Sequence, residues 1–195
     1  IRDVAVTGVQ TCALPICWLH EARRLADLAV RLFHDAELGG FFLAPGDGER
    51  LVARTKALDD NPIPSGNAML AHVLLRLGRI WGDDELERLG TSVLRLVVPM
   101  VERAPGAFGW ALCALDLWLA PPREIAVLGS VRSEVARAAL APFAPATVVA
   151  VGPADDVPLL RGRHEVGGQP TVYVCERFAC QAPVTDPAAF ARTAG

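Results

Sequence analysis

The stretch AFGWALCALDLWLAPPREIAVLG (107–129) holds two periodicities side by side. From Gly109 to Ala120 it is apolar on almost every face of a helix, with Asp116 its one charge. Such a helix is expected to be buried on most sides. Pro121-Pro122 stops it, because proline lacks an N–H and pushes the preceding residue towards extended backbone. REIAVLG then reads as a short strand closed by glycine. The fold turns on the segments to either side of this junction.

Upstream, the helices alternate in character. Trp18 to about His34 carries one apolar stripe through Leu25, Leu28, Ala29, Leu32 and Phe33, with Arg23, Arg24, Asp27 and Arg31 opposite. FFLAPGDGERLVAR (41–54) reads as a hairpin-like excursion. A second helix, from PSGN (64–67) to about Ile80, is apolar nearly all round. A third comes after Gly82, with Asp83 as N-cap, acidic residues in its first turn and Pro99 near its end. The fourth is the opening stretch. Striped, buried, striped, buried is the order that an α/α toroid of outer and inner helices requires. Residues 17–121 are therefore expected to be its last hairpins, in a mainly α fold. Two hairpins cannot close a ring, so the expectation is of a partial toroid.

Downstream, VRSEVARAALAPF (131–143) reads as a helix and ATVVAVG (146–152) as a second strand. Strand, helix and strand at this spacing predict a parallel crossover. GGQPTVYVCERFACQAPVTDP (167–187) adds a turn and a third strand. Residues 122–195 are expected to form a small α/β C-terminal subdomain.

The first sixteen residues fit neither pattern. IRDVAVTGVQTCALPI lacks the basic start, apolar core and cleavage site of a secretory signal. VTGVQTCALPI back-translates into a string resembling a short-read library adapter, with Ile1, Arg2 and Asp3 from its upstream part and Val4-Ala5 filling a barcode. Residues 1–16 are expected to be adapter-derived, and the remainder a C-terminal fragment.

The chain has 195 residues, a net charge of -3 and 52% hydrophobic residues. Its mean hydropathy of +0.31 is high for a soluble domain. No apolar run approaches the ~18 residues of a membrane span, and Arg and Lys are scattered rather than clustered. Neither nucleic acid nor a membrane is an expected partner. Setting aside Cys12 and Cys17 leaves Cys113, Cys175 and Cys180, which suggests a reducing, cytoplasmic setting.

LFHDAELGGFF (32–42), RTKALDDNPIPSGNA (54–68), GWALCALDLWLAPPREIAVLG (109–129) and TVYVCERFACQAPVTDP (171–187) together resemble the C-terminal part of a known family. These are the thioredoxin-domain-containing proteins whose animal members are described as spermatogenesis-associated. The resemblance runs from Trp18 onward and is most specific at Pro64-Ser65-Gly66-Asn67 and at Cys175 with Cys180-Gln181-Ala182-Pro183. It implies an N-terminal thioredoxin-like domain, absent here, before an (α/α)6 toroid similar to N-acylglucosamine 2-epimerases and six-hairpin glycosidases. Two positions depart from the family: Ala68 where Ser is frequent, and Arg177 where Asn is usual.

The polar loop entering the second helix is the first candidate site. Ser65 caps the helix, Gly66 permits close approach and Asn67 adds an amide, which suits an anionic or hydroxyl-rich ligand. Arg54, Lys56, Asp59 and Asp60 belong to the same loop, and Trp110 is expected to join them as a sugar-stacking face. Substrate-binding roles are therefore expected for Arg54, Lys56, Asp59, Ser65, Asn67 and Trp110; the competing reading is a capped helix with a solvated loop.

No catalytic residue is assigned. His72 invites comparison with the acid–base histidines of sugar epimerases, against the reading of a satisfied core histidine. Asp116 reads as a buried carboxylate with a structural partner or a pocket role. Cys175 and Cys180 are too far apart for a Cys-x-x-Cys motif and, with His164 the one nearby imidazole, too few for a zinc site. They are either two packed thiols or a reversible disulfide. AVLGSVRSEVARAAL (126–140) lacks the glycines of a nucleotide loop. No cofactor and no metal is expected.

Three functions remain open. One is recognition of a carbohydrate-like or other small polar substrate, with redox chemistry in the absent N-terminal domain. The others are a non-catalytic interaction scaffold and a sugar epimerase or isomerase. The expected partners are that small ligand, the thioredoxin-like domain and the remaining toroid hairpins.

Overall fold

The computed structural model describes residues 15–49, 52–153 and 155–194. The adapter reading of residues 1–16 thus falls mostly outside the described residues; Pro15 and Ile16 open the first helix. The helices are α1 (Pro15–Phe33), α2 (Gly66–Trp81), α3 (Asp84–Val101), α4 (Gly109–Leu119), α5 (Glu134–Leu140) and α6 (Pro187–Ala194). The strands are β1 (Arg123–Leu128), β2 (Thr147–Val151), β3 (Thr171–Glu176) and β4 (Ala179–Cys180). No helix among the described residues is long and apolar enough to cross a membrane.

The chain divides into two compact units. One comprises residues 23–79 and 83–121 and is helical. Asp83 caps α3, its Oδ1 accepting the N–H groups of Glu85 and Leu86 at 3.1 and 3.2 Å. Leu86, Leu89, Val93, Leu94 and Val97 bury one face of that helix. Gly90 is tightly held: a Cβ there would come within 3.0 Å of the Ala71 carbonyl and the Leu75 side chain.

The other unit comprises residues 1–22, 80–82 and 122–195 and is built on a four-stranded sheet ordered β2-β1-β3-β4. β1 and β2 run parallel, as the strand–helix–strand pattern predicts, while β3 pairs antiparallel with β1 and with β4. Strand side chains alternate between faces. Ile125, Val127, Val151, Val172 and Val174 therefore pack with Val135, Ala136 and Ala139 of α5 and Phe190 of α6. Ala126, Leu128, Val148 and Ala150 take the other face, with Val157, Leu159, Leu160 and Ile80. Burial on both faces is why the strands read as unbroken apolar runs. Each buried Val or Leu contributes about 1.5–3 kcal/mol relative to exposure.

The expectation of a mainly α, partial toroid is corrected. Among the described residues, six helices account for 45% and the four-stranded mixed sheet for 14%, so the fold is α/β mixed. Two residue-level findings explain the misreading. The strands after Pro122 carry two separate cores, more than a cap needs. The helix read as buried on most sides leaves much of its surface bare: Leu112, Asp116 and Leu119 share an exposed face of α4, and Trp110 and Trp118 are each 44% exposed at its ends. Uniform apolarity carries no phase, so sequence alone could not tell a buried helix from one with a bare apolar face.

Candidate functional site

In the helical unit, the loop 54–67 turns its polar atoms onto the chain itself. Asn67, 2% exposed, accepts the Phe41 N–H through Oδ1 at 2.8 Å. Its Nδ2 donates to the carbonyls of Phe41 at 2.9 Å and Ala57 at 2.8 Å. Ser65 caps α2, its Oγ accepting the Ala68 N–H at 3.1 Å. The Lys56 ammonium pairs with Asp35 at 2.7 Å, donates to the Gly39 carbonyl and lies 5.0 Å from the Phe42 ring centre. The Arg54 guanidinium sits 4.1 Å over that ring and donates to the carbonyls of Ala44 and Leu32. Asp59 and Trp110 are the exposed members of the predicted set.

Asp60 does more than line this loop. One carboxylate oxygen accepts the Ser65 N–H at 2.8 Å; the other accepts the N–H groups of Trp110 and Ala111 at 2.8 and 3.3 Å. It fixes the entry to α2 and caps α4, fifty residues away, a role with no local sequence signal. The Lys56 hydrogen bond, with N–H groups of Leu38 and Glu37, holds the Asp35 carboxyl at about 2, below its ordinary 3.8. His72 accepts from Arg76 Nε at 3.2 Å through Nε2. Burial, helped by the Arg76 charge, lowers its pKa and favours the neutral ring. Asp116, read as buried, is exposed.

The α/β unit holds a different constellation. At the carboxyl ends of β1 and β2 lies a pocket of about 570 Å³ whose lining includes Gly129, Asp155, Arg163, His164, Glu165 and Gly168. Open sheets bind ligands outside the carboxyl ends of their strands. Gly129 adopts φ +106, a backbone that side chains rarely take up, and a Cβ there would also meet Pro170 at 3.1 Å and Glu165 Oε1 at 2.4 Å. Tyr173 donates its hydroxyl to the His164 carbonyl at 2.9 Å, and Arg161 Nε donates to the Asp155 carbonyl at 2.8 Å. These bonds fix the backbone of the wall at His164 and Asp155. The sequence reading missed the pocket because its residues come from three separated loops. The terminal Gly129 of a strand was the available signal.

Beside it, β3 and β4 form a hairpin in which Cys175 and Cys180 are cross-strand partners joined by a disulfide. Arg177 and Phe178 form its turn, both left-handed, at φ +47 and +65. Such a two-residue turn prefers Asn and Gly. Arg177 therefore occupies a backbone that Asn or Gly suits better. The Phe178 ring packs against Gly82, where a Cβ would be 3.1 Å away, and the Phe178 N–H donates to Glu124 Oε2 at 3.4 Å. Among the described residues, no group of three or more His, Cys, Asp or Glu is placed to hold a metal ion.

No protein-family model matches the chain. It is 29% identical over 182 residues to spermatogenesis-associated protein 20 of Homo sapiens, and equally to the proteins of that name in Rattus norvegicus and Mus musculus. The match covers 87% of this chain and 23% of each relative, so the chain spans less than a quarter of their length.

Proposed function

We propose that the chain is part of a spermatogenesis-associated protein 20 relative that recognises a small polar, carbohydrate-like ligand, in the pocket at the carboxyl ends of β1 and β2. The observation that carries this reading is the pairing of His164 and Glu165 with Asp155 around glycine backbone in a pocket of about 570 Å³. That volume lies in the range of small-molecule sites, about 300–1,000 Å³. Carboxylates accept from vicinal hydroxyls, and an imidazole can donate or accept. The pocket lacks the repeated glycines of a pyrophosphate-binding loop, which favours a neutral polyol over a dinucleotide.

Calorimetric titration of the full chain with N-acetylglucosamine and with glucose tests this. Saturable binding to either sugar is expected, weakened about tenfold or more by Glu165→Gln, since one charge-assisted hydrogen bond contributes about 1.5–3 kcal/mol. Saturable binding that Glu165→Gln and His164→Ala leave unchanged would overturn the assignment, as would heats indistinguishable from dilution for both sugars.

A further inference from the structure

We propose that the Cys175–Cys180 hairpin is a thiol–disulfide exchange site, in which Cys180 is the sulfur attacked by an incoming thiolate and Arg163 holds the Cys180 thiolate once it is released. Three observations converge on it. The two sulfurs differ in access: Cys175 is 2% exposed, whereas Cys180 is exposed on the edge strand. A nucleophile in solvent therefore reaches only one of them. The guanidinium of Arg163 lies against that same sulfur, with Nη2 at 2.9 Å and Nε at 3.2 Å from Cys180 Sγ, and Nη2 at 3.8 Å from Cys175 Sγ. A disulfide sulfur is a poor acceptor, so these donors gain little in the oxidised state. Against a thiolate they form a charge-assisted pair, and a neighbouring arginine lowers a thiol's pKa. Finally, the disulfide spans a turn whose two residues are both non-glycine and left-handed, so the bond closes a backbone the side chains disfavour.

The exchange is a two-electron reaction with a dithiol donor. One donor thiolate attacks Cys180 Sγ, forms a mixed disulfide there and breaks the Cys175–Cys180 bond. The electron pair of that bond departs on Cys175 Sγ, which takes up a proton. The donor's second thiol loses its proton, attacks the donor sulfur of the mixed disulfide and expels Cys180 as a thiolate beside Arg163. The donor leaves as a disulfide, and the hairpin holds two additional electrons. In the reverse direction the Cys180 thiolate is the nucleophile and Cys175 resolves. Besides Arg163, the charged or titratable groups around the hairpin are Glu124 on β1, Tyr173 on β3, and Glu176 and Arg177 on the hairpin itself. The exchange needs no ligand in the neighbouring pocket, so its test is separate from that of sugar binding.

The test treats the folded full chain with graded dithiothreitol, alkylates with iodoacetamide between pH 5 and 10, and locates the adducts by peptide mass spectrometry. The exposed Cys113 is the internal reference. The pair should be reduced without denaturant, and Cys180 should alkylate faster than Cys113 at pH 6–7. Arg163→Gln should slow Cys180 at that pH by about tenfold, moving its profile towards that of an ordinary thiol near 8.5. Arg163→Lys, which keeps the charge, should stay closer to the unaltered chain. Cys175→Ser should accumulate a stable mixed disulfide at Cys180 with a thionitrobenzoate probe, whatever the state of Arg163. Reduction that requires denaturant would overturn the proposal. So would a Cys180 profile that Arg163→Gln leaves unchanged, or one that Arg163→Lys shifts as far as Arg163→Gln does.

Discussion

The Asp60 carboxylate accepts the backbone N–H of Trp110 at 2.8 Å, and its second oxygen accepts the N–H of Ser65 at the same distance. One side chain thus satisfies the first turn of α4 and the approach to α2. Loss of an N-cap side chain typically costs about 0.5–2 kcal/mol. Asp60→Ala should fall near the upper end, because two segments lose their acceptor together. Urea unfolding of the variant should show a lower midpoint with an unchanged slope. A midpoint equal to that of the unaltered chain would mean that water replaces the carboxylate at both sites.

Asn67 illustrates why residue type alone misleads. Its amide makes three hydrogen bonds to backbone while 2% exposed. Asn67→Ala should therefore destabilise by roughly 2–4 kcal/mol, since buried backbone groups left without partners cost about 1–3 kcal/mol each. Thermal melting reads this directly. An unchanged melting temperature would restore Asn67 to the ligand-contact role suggested by its position in PSGN.

The Asp35–Lys56 pair predicts an acid-sensitive unit. Asp35 titrates at about 2 when folded against an ordinary 3.8, so the unfolded chain binds more protons between those values. Its contribution to stability is complete above about pH 4 and is lost as pH falls through 2. Asp35→Asn should flatten this part of the stability–pH curve. An equally steep curve in the variant would assign the acid sensitivity to other carboxylates.

How much of this was legible beforehand depended on whether the signal was local. The Asp83 cap, the stripe of α3 and the parallel β1–β2 pair were readable, because caps and apolar periods are written in neighbouring residues. The phase of α4 was not, since a helix apolar on all sides gives no clue to which side is covered. Nor was the Asp60–Trp110 bond, which joins residues fifty positions apart. The Cys175–Cys180 pairing was half legible: spacing left thiols and disulfide open, whereas a two-residue turn at Arg177-Phe178 makes them direct cross-strand neighbours. The pocket at β1 and β2 was invisible as a motif, because Gly129, Asp155 and Glu165 meet only through the sheet.

The exposed face of α4 should bind apolar probes. Leu112 and Leu119 lie on it at 36% and 66% exposure. Enhanced anilinonaphthalene sulfonate fluorescence is expected for the folded chain, falling by about half or more in the Leu112→Glu, Leu119→Glu double variant. Such patches bind partners or dye once they reach about a few hundred Å². Fluorescence unaffected by the double change would place the dye elsewhere.

Amide shifts recorded while N-acetylglucosamine is added to the isotope-labelled full chain test the ligand assignment most directly, because they distinguish the two candidate loops in one experiment. The account predicts saturable shifts at Gly129, His164, Glu165 and Gly168, with the segment 54–67 unmoved. Shifts confined to 54–67, or none at the four pocket residues at saturating sugar, would contradict it.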